Sequence, residues 1–184
     1  MPGVRASAAH NFPMTLKKPF KVLILCTGNS ARSIIAEYLW RFLGKGRFET
    51  YSAGSTPTGQ VHPLALWVLK DRYNIDASDA RSKSWEEFKA AGLRFDFVIT
   101  VCDKAHEACP VWPGQPIIAH WGSPDPAAFE GTEDRRRYFF VQVASQIYQR
   151  ISLFCAFSDD KLEPIAIKQI GEKFVIEDQP GMPR

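Results

Sequence analysis

The sequence is poor in cysteine, has no long hydrophobic run and carries little excess of charge of either sign. Only 4 of its 184 residues are cysteines, too few for a disulfide scaffold in a chain of this length, so free thiols and a reducing compartment are expected. The apolar runs, such as residues 22–25, are far too short to span a bilayer, and residues 1–18 lack the apolar core of a secretory signal. These absences favour a cytoplasmic protein with no membrane partner.

The net charge is +3 and the isoelectric point is near 8.7, values too mild to indicate a nucleic-acid partner. A local site for a small anion remains compatible with them. Hydrophobic residues make up 45% of the chain, as in ordinary globular proteins. A chain of this length buries roughly 70% of the surface that it exposes when unfolded. We therefore expect a core that needs no disulfide and no metal.

The hydrophobic pattern predicts one domain over residues 19–155, with a flexible leader at 1–18 and a C-terminal extension at 156–184. Short β-branched runs alternate with segments of helical periodicity, an order that favours an α/β sandwich with a parallel sheet. The predicted strands are 20–26, 48–53, 95–101 and 116–120. The predicted helices are 34–44, 62–73, 84–90 and 132–155, with a loop at 102–115 and a short helix or strand at 162–170.

One loop in this pattern carries chemistry: Cys26-Thr27-Gly28-Asn29-Ser30-Ala31-Arg32-Ser33, between the first strand and the first helix. The backbone N–H groups of such a loop converge with the helix N-terminus and form a cradle for a tetrahedral oxyanion. Arg32 can clamp two oxygens of that anion. Cys26 is expected to have a depressed pKa there and to act as a nucleophile, with Ser33 donating to its sulfur. The predicted oxyanion-binding residues are Thr27, Gly28, Asn29, Ser30, Ala31 and Arg32.

A Cys-x5-Arg match alone is weak, since Cys26 could simply end a strand and Arg32 could be a solvated helix residue. Its place between a strand and a helix favours the functional interpretation. The segment CTGNSARS resembles the signature loop of the low-molecular-weight tyrosine phosphatase family, and the resemblance covers about residues 20–155. It implies a three-layer α/β sandwich with a four-stranded parallel sheet flanked by helices. It also implies that Cys26 attacks phosphorus or arsenic.

A second segment, around Cys102 and Cys109, resembles the redox loop of thioredoxin-coupled arsenate reductases of that family. It reads TVCD, then Ala105, then CPVWPG. The resemblance implies that arsenate is reduced to arsenite through an adduct on Cys26. Cys102 would then form a disulfide with Cys26, and Cys109 would attack Cys102. Reduced thioredoxin would supply the electrons, with no bound cofactor.

Other interpretations of these cysteines stay open. Cys102 could end a buried strand and Cys109 could be incidental to its loop. Both could ligate zinc together with His106, but a fourth ligand is not evident, so no metal is predicted. The alternative function is a low-molecular-weight tyrosine phosphatase whose extra cysteines regulate Cys26; a non-catalytic anion binder is a third. Glutaredoxin or another thiol could also replace thioredoxin.

Asp125 lies in HWGSPDPA, which resembles the WG-x-x-DP segment of the reductases. A carboxylic acid there can protonate the departing oxygen, and a turn-capping role is compatible with that. Tyrosine phosphatases of this fold usually place aromatic residues after the Asp-Pro, whereas this chain has Ala127 and Ala128. The substitution weakens the phosphatase alternative.

Four supporting residues complete the expected site. Asn29, Glu37 and Ser52 correspond to residues that bind potassium in some arsenate reductases, but Lys83 replaces the acidic fourth ligand. No potassium site is predicted; the hypothesis is that the Lys83 ammonium pairs with Glu37 in its place. Two unrelated surface charges are the alternative. Since one loop holds the site, a monomer is expected, with a small oxyanion and thioredoxin as its partners.

Overall fold

The computed structural model describes residues 18–177. The predicted leader, except Lys18, and residues 178–184 of the predicted extension lie outside that range. The centre of the fold is a four-stranded, fully parallel sheet with strand order β2-β1-β3-β4. The strands are β1 (Phe20–Cys26), β2 (Phe48–Gly54), β3 (Phe97–Thr100) and β4 (Ile117–His120).

Helices cover both faces of the sheet. They are α1 (Arg32–Gly44), α2 (Pro63–Tyr73), α3 (Glu86–Ala90), α4 (Asp103–Glu107), α5 (Glu133–Ala156) and α6 (Pro164–Ile170), with a 3₁₀ turn at Asp159–Lys161. Residues three apart on a strand point to opposite faces. Phe48 packs against Trp40 of α1 and Phe154 of α5, whereas Tyr51 packs against Phe88 of α3. The predicted three-layer sandwich is confirmed.

The prediction of a loop over residues 102–115 is wrong in one part. Residues 103–107 form α4, which begins directly after Cys102 and ends two residues before Cys109. The Pro and Gly residues that indicated a loop begin only at Pro110, and nothing in Asp-Lys-Ala-His-Glu opposes a helix. The segment 162–170, predicted as a helix or a strand, contains the helix α6. In the part of the chain described here, no helix is long and apolar enough to cross a membrane.

Candidate active site

The loop after β1 is held by the segment that follows β2. That segment binds the carbonyl groups of the loop. The carbonyl oxygens of residues 26–28 accept hydrogen bonds from the N–H groups of Ser55, Thr56 and Thr58, at 3.2, 3.0 and 3.0 Å. Because those carbonyl groups point to residues 55–58, the N–H groups of the loop can point into the pocket on its other side. Helix α1 follows, and its N-cap residue, Ala31, makes no side-chain capping bond. The N–H groups at the start of α1 thus remain available to an anion.

Gly54, which sequence analysis did not identify, allows the end of β2 to approach this loop. A Cβ atom at Gly54 would lie 2.4 Å from the carbonyl oxygen of Thr27 and 3.1 Å from the backbone nitrogen of Asn29. Both are backbone atoms and cannot yield as a flexible side chain would. Only glycine fits here without displacing the loop. Its position at the end of a strand was the available signal.

Cys26 ends β1, is almost fully buried and has two donors at its sulfur. Ser33 Oγ lies 2.8 Å from Cys26 Sγ, and the backbone N–H of Asn29 donates to the same sulfur at 3.1 Å. Burial raises the pKa of the Cys26 thiol, while Ser33, Arg32 and the Asn29 N–H each lower it. Burial is the larger effect. The predicted depressed pKa is therefore wrong, because residues from other parts of the chain remove water from the sulfur.

Asn29 holds Ser33 in position for this contact. Its backbone has a φ of 44°, in the left-handed region that Asn tolerates. Its Oδ1 accepts from the backbone N–H of Lys83 at 2.8 Å, so its Nδ2 donates, to Ser33 Oγ and Ser52 Oγ at 2.9 Å each. Since Ser33 Oγ already accepts from Asn29, its own hydrogen is free to point to the sulfur.

Glu37 and Lys83 meet behind this network. Glu37 Oε2 accepts from the Ser52 hydroxyl and lies 3.6 Å from Lys83 Nζ, and Glu37 Oε1 pairs with Arg41. The Lys83 ammonium also donates to Ser52 Oγ at 3.4 Å and to the Arg81 carbonyl at 3.1 Å. Burial lowers the pKa of Lys83, and Glu37 opposes that shift. The two residues are thus a buried pair rather than separate surface charges.

Arg32 and Asp125 form an ion pair in the wall of the pocket. Arg32 Nη2 lies 3.0 Å from Asp125 Oδ2, and Arg32 Nη1 donates to the Ser123 carbonyl at 2.9 Å. Asp125 Oδ1 accepts from the backbone N–H of Ala127 at 3.1 Å, so the carboxylate also caps its own turn. Its side chain is 30% exposed, which leaves it accessible to a ligand. Sequence analysis did not identify Ser123, whose role depends on a backbone oxygen.

Cys102 lies in the same pocket as Cys26. Its Sγ is 3.3 Å from Thr27 Oγ1, its side chain is buried, and a negative charge on it would raise the pKa of Cys26. The pocket has a volume of about 580 Å³. Its walls include Cys26, Thr27, Gly28, Ser30, Ala31, Arg32, Thr56, Thr58, Cys102, Asp103, Lys104, Ser123, Asp125, Ala127 and Ala128.

Cys109 does not line that pocket. It follows α4 and is half-buried beside Trp112, whose buried indole N–H has no oxygen or nitrogen acceptor within residues 18–177. Burial raises the pKa of Cys109 and the Trp112 N–H lowers it. A helix rises about 1.5 Å per residue, which places the two ends of this segment roughly 10 Å apart. A disulfide requires Cα atoms within about 7 Å, so α4 must unwind before Cys102 and Cys109 can bond.

Metal ligation by Cys102, His106 and Cys109 has no support in the described residues. No group of three or more His, Cys, Asp or Glu side chains among residues 18–177 is arranged to hold a metal ion. His106 instead contacts Thr100 Oγ1 at 3.3 Å and packs on the ring of His120.

A thiol nucleophile and an oxyanion clamp on one strand-loop-helix unit is the arrangement used by cysteine-dependent phosphatases and by enzymes built on the same loop. The chain belongs to the low molecular weight phosphotyrosine protein phosphatase family, whose model matches residues 21–158. An arsenate reductase of Bacillus licheniformis is 37% identical over 134 residues, which are 72% of this chain and 93% of that protein.

Solved structures give the same picture. An arsenate reductase in its phosphate-binding state matches with a TM-score of 0.61 and 28% identity, over 74% of this chain and 97% of the other. A thioredoxin-dependent arsenate reductase of Corynebacterium glutamicum matches with a TM-score of 0.52 and 28% identity, over 76% of this chain and 65% of the other. The family and the fold predicted from the sequence are confirmed.

Proposed function

We propose that this protein reduces arsenate to arsenite through three cysteines, with electrons from thioredoxin. The observation that carries the proposal is the second thiol beside the nucleophile: Cys102 Sγ lies 3.3 Å from Thr27 Oγ1, in the pocket that contains Cys26. Hydrolysis of a phosphate ester does not need that thiol, whereas a two-electron reduction needs a reductant next to the adduct. The arsenate reductases among the relatives support the same assignment.

The first step joins Cys26 to arsenic. The loop N–H groups and Arg32 bind the arsenate oxygens, and the thiol gives up its proton as its sulfur attacks. A bond forms between sulfur and arsenic(V), one arsenic–oxygen bond breaks, and the oxygen leaves as water after Asp125 protonates it. The thiol proton restores the proton that Asp125 gives. Because burial raises the pKa of Cys26, the thiol keeps its proton until the dianion is bound, and the dianion then passes that one proton on to Asp125.

The second step transfers two electrons. The Cys102 thiolate attacks Cys26 Sγ and a disulfide forms between them. The electron pair of the sulfur–arsenic bond stays on arsenic, which leaves as arsenite, and the Cys102 proton goes to an arsenite oxygen. The Cys109 thiolate then attacks Cys102 Sγ and releases Cys26 as a thiolate. Thioredoxin reduces the disulfide between Cys102 and Cys109 by oxidising its own two thiols.

The test is arsenate-dependent NADPH consumption with thioredoxin and thioredoxin reductase. We expect turnover in the native protein and none in Cys26→Ser or Cys102→Ser. Cys109→Ser should release about one arsenite per enzyme and then stop, with Cys26 and Cys102 joined. Cys155→Ser is the matched control, since Cys155 lies on α5 outside the pocket. Sustained turnover in Cys102→Ser would exclude the relay. Replacement of thioredoxin by glutaredoxin and glutathione tests the electron donor.

The second candidate is a tyrosine phosphatase with regulatory cysteines, favoured by the pairing of Arg32 with Asp125 beside Cys26. Cys26, Arg32 and Asp125 are together sufficient for the hydrolysis of a phosphate ester. The alanines at 127 and 128 offer no aromatic wall to a phenyl ring, which argues for a small inorganic substrate. Brisk hydrolysis of an aryl phosphate that survives Cys102→Ser, without arsenate-dependent NADPH loss, would establish this alternative.

A further inference from the structure

The C-terminal segment, residues 159–177, lies outside the region matched by the family model, which ends at residue 158. It nevertheless packs on the fold. Ile167 and Ile170 of α6 are buried, and the indole N–H of Trp121 donates to the Ile167 carbonyl at 2.9 Å. Trp121 begins the acid loop, residues 121–125, which ends at Asp125. The C-terminal segment is therefore fixed to the loop that carries the catalytic acid.

Arg150 of α5 joins the same two parts of the chain. Its guanidinium donates to the carbonyls of Trp121 and Gly122 in the acid loop, at 3.0 and 2.9 Å. On the other side it donates to the carbonyls of Gly171 and Lys173, at 2.8 and 3.1 Å. The residue is only 2% exposed. Burial lowers its pKa to about 10, so it remains charged at neutral pH and its donors hold both segments.

Gln146, one helical turn earlier, makes a second bridge. Its Oε1 accepts from the Ser123 hydroxyl at 2.7 Å, and its Nε2 donates to the Phe174 carbonyl at 2.9 Å. The Ser123 carbonyl in turn accepts from Arg32, the residue that also pairs with Asp125. A continuous set of hydrogen bonds therefore runs from the C-terminal segment to the oxyanion clamp.

At Gly171 the backbone of the C-terminal segment lies very close to the backbone at His120. A Cβ atom there would lie 2.2 Å from the carbonyl oxygen of His120 and 2.9 Å from the Trp121 ring. A backbone atom at that distance cannot be avoided by rotation of a side chain. Alanine at 171 must therefore push the C-terminal segment away from the start of the acid loop.

We propose that the C-terminal segment positions Arg32 and Asp125, with Gly171, Arg150 and Gln146 as the positioning residues. None of the three lines the pocket that contains Cys26; Gln146 and Arg150 act through Ser123, and Gly171 acts through its contact with His120 and Trp121. The inference depends on the proposed function only in that the pocket binds an oxyanion, whichever reaction follows.

The experiment measures the affinity of the full-length protein for inorganic phosphate by titration calorimetry. Both substitutions should displace the Ser123 carbonyl, which accepts a hydrogen bond from the charged Arg32. The loss of a bond of that kind is large enough that Gly171→Ala and Gln146→Ala should each weaken phosphate binding by about tenfold. The controls are Gln169→Ala, exposed on α6, and Gln149→Ala, exposed on α5, which should stay within about twofold. Gln146→Ala carries the test if Gly171→Ala does not fold.

A double-mutant cycle separates positioning from general destabilisation. In an Arg32→Lys background, which lacks the guanidinium held by Ser123, Gly171→Ala and Gln146→Ala should lose most of their effect on phosphate affinity. Equal losses in both backgrounds, or lower melting temperatures with unchanged phosphate affinity, would overturn the inference. Failure of the native protein to bind phosphate would overturn it as well. If the protein binds phosphate but does not reduce arsenate, the proposed reductase function is refuted, and the phosphate-binding test of the positioning role still applies.

Discussion

At the scale of single residues, the reactivity of Cys26 is a balance between burial and a few polar contacts. Loss of water raises the pKa of the thiol, and the hydroxyl of Ser33, the charge of Arg32 and the N–H of Asn29 oppose it. Asn29 donates to Ser33 Oγ, which leaves the hydroxyl hydrogen of Ser33 free to point to the sulfur of Cys26. The thiolate that the proposed reaction needs therefore depends on an oriented hydrogen bond as well as on the charge of the pocket.

Ser33→Ala should make Cys26 less reactive. Removal of a donor that lowers the pKa raises that pKa further, so less thiolate is present at neutral pH. A hydrogen bond to a charged group contributes enough that the alkylation rate near pH 7 should fall by about tenfold. The measurement is the rate of iodoacetamide modification of Cys26 against pH, read by mass spectrometry, with the midpoint expected at higher pH. Ser145→Ala, exposed on α5, is the control. An unchanged pH profile would contradict this role.

At the scale of elements, a buried polar cluster and a short helix bear on the proposed reaction. The first joins α1, β2 and the turn before α3 through Glu37, Ser52 and Lys83. The second is the short helix α4, which separates Cys102 from Cys109. One arrangement is expected to stay fixed during the reaction, and the other to open.

For the first, we expect Lys83 to make potassium unnecessary. Its ammonium already lies among the oxygens of Glu37, Ser52 and Arg81. Activity of the native protein should be equal in KCl and NaCl at the same ionic strength. Lys83→Met leaves the buried carboxylate of Glu37 with one cation fewer and should lower the free energy of unfolding by on the order of 3 kcal/mol. Lys89→Met, at an exposed pair, is the control. Strong stimulation of the native protein by potassium would refute the hypothesis.

For the second, oxidation should unwind α4. In α4 the N–H of His106 donates to the Cys102 carbonyl, and the N–H of Ala108 donates to the Lys104 carbonyl. A disulfide between Cys102 and Cys109 brings their Cα atoms closer together than a helix between them allows, so these hydrogen bonds should break. Hydrogen exchange of residues 103–108, followed by mass spectrometry, should be faster in the oxidised protein than in the reduced one. Oxidised Cys109→Ser should keep its protection. Equal protection in both redox states of the native protein would contradict the expected opening.

At the scale of the whole molecule, the chain beyond the family match is part of the folded unit. Helix α6 packs on β4 and α5 and buries Ile167, while Ile165 on the same helix is 71% exposed. Arg150 connects the residues that follow this helix to the acid loop, since it donates to two carbonyl groups on each side. Loss of α6 packing should therefore be felt in the global unfolding transition.

Ile167→Ala should lower the free energy of unfolding by about 2–4 kcal/mol, since it removes a buried aliphatic side chain and leaves a cavity. Ile165→Ala should change it by less than about 0.5 kcal/mol. Urea denaturation followed by tryptophan fluorescence measures both. A separate early transition in the Ile167→Ala protein, with the main one unchanged, would mean that α6 unfolds independently of the core.

Features that are contiguous along the chain can be predicted from the sequence. The α/β order follows from local periodicity, and the loop from Cys26 to Ser33 follows from eight successive residues at a strand-to-helix junction. Contacts between distant residues depend on the three-dimensional packing: Asp125 meets Arg32, Cys102 meets Thr27, and Arg150 lies between the acid loop and the C-terminal segment. That packing also decided the direction of the Cys26 pKa shift. Desolvation and backbone carbonyl partners depend on packing in three dimensions, and residue identities along the chain do not encode that packing locally.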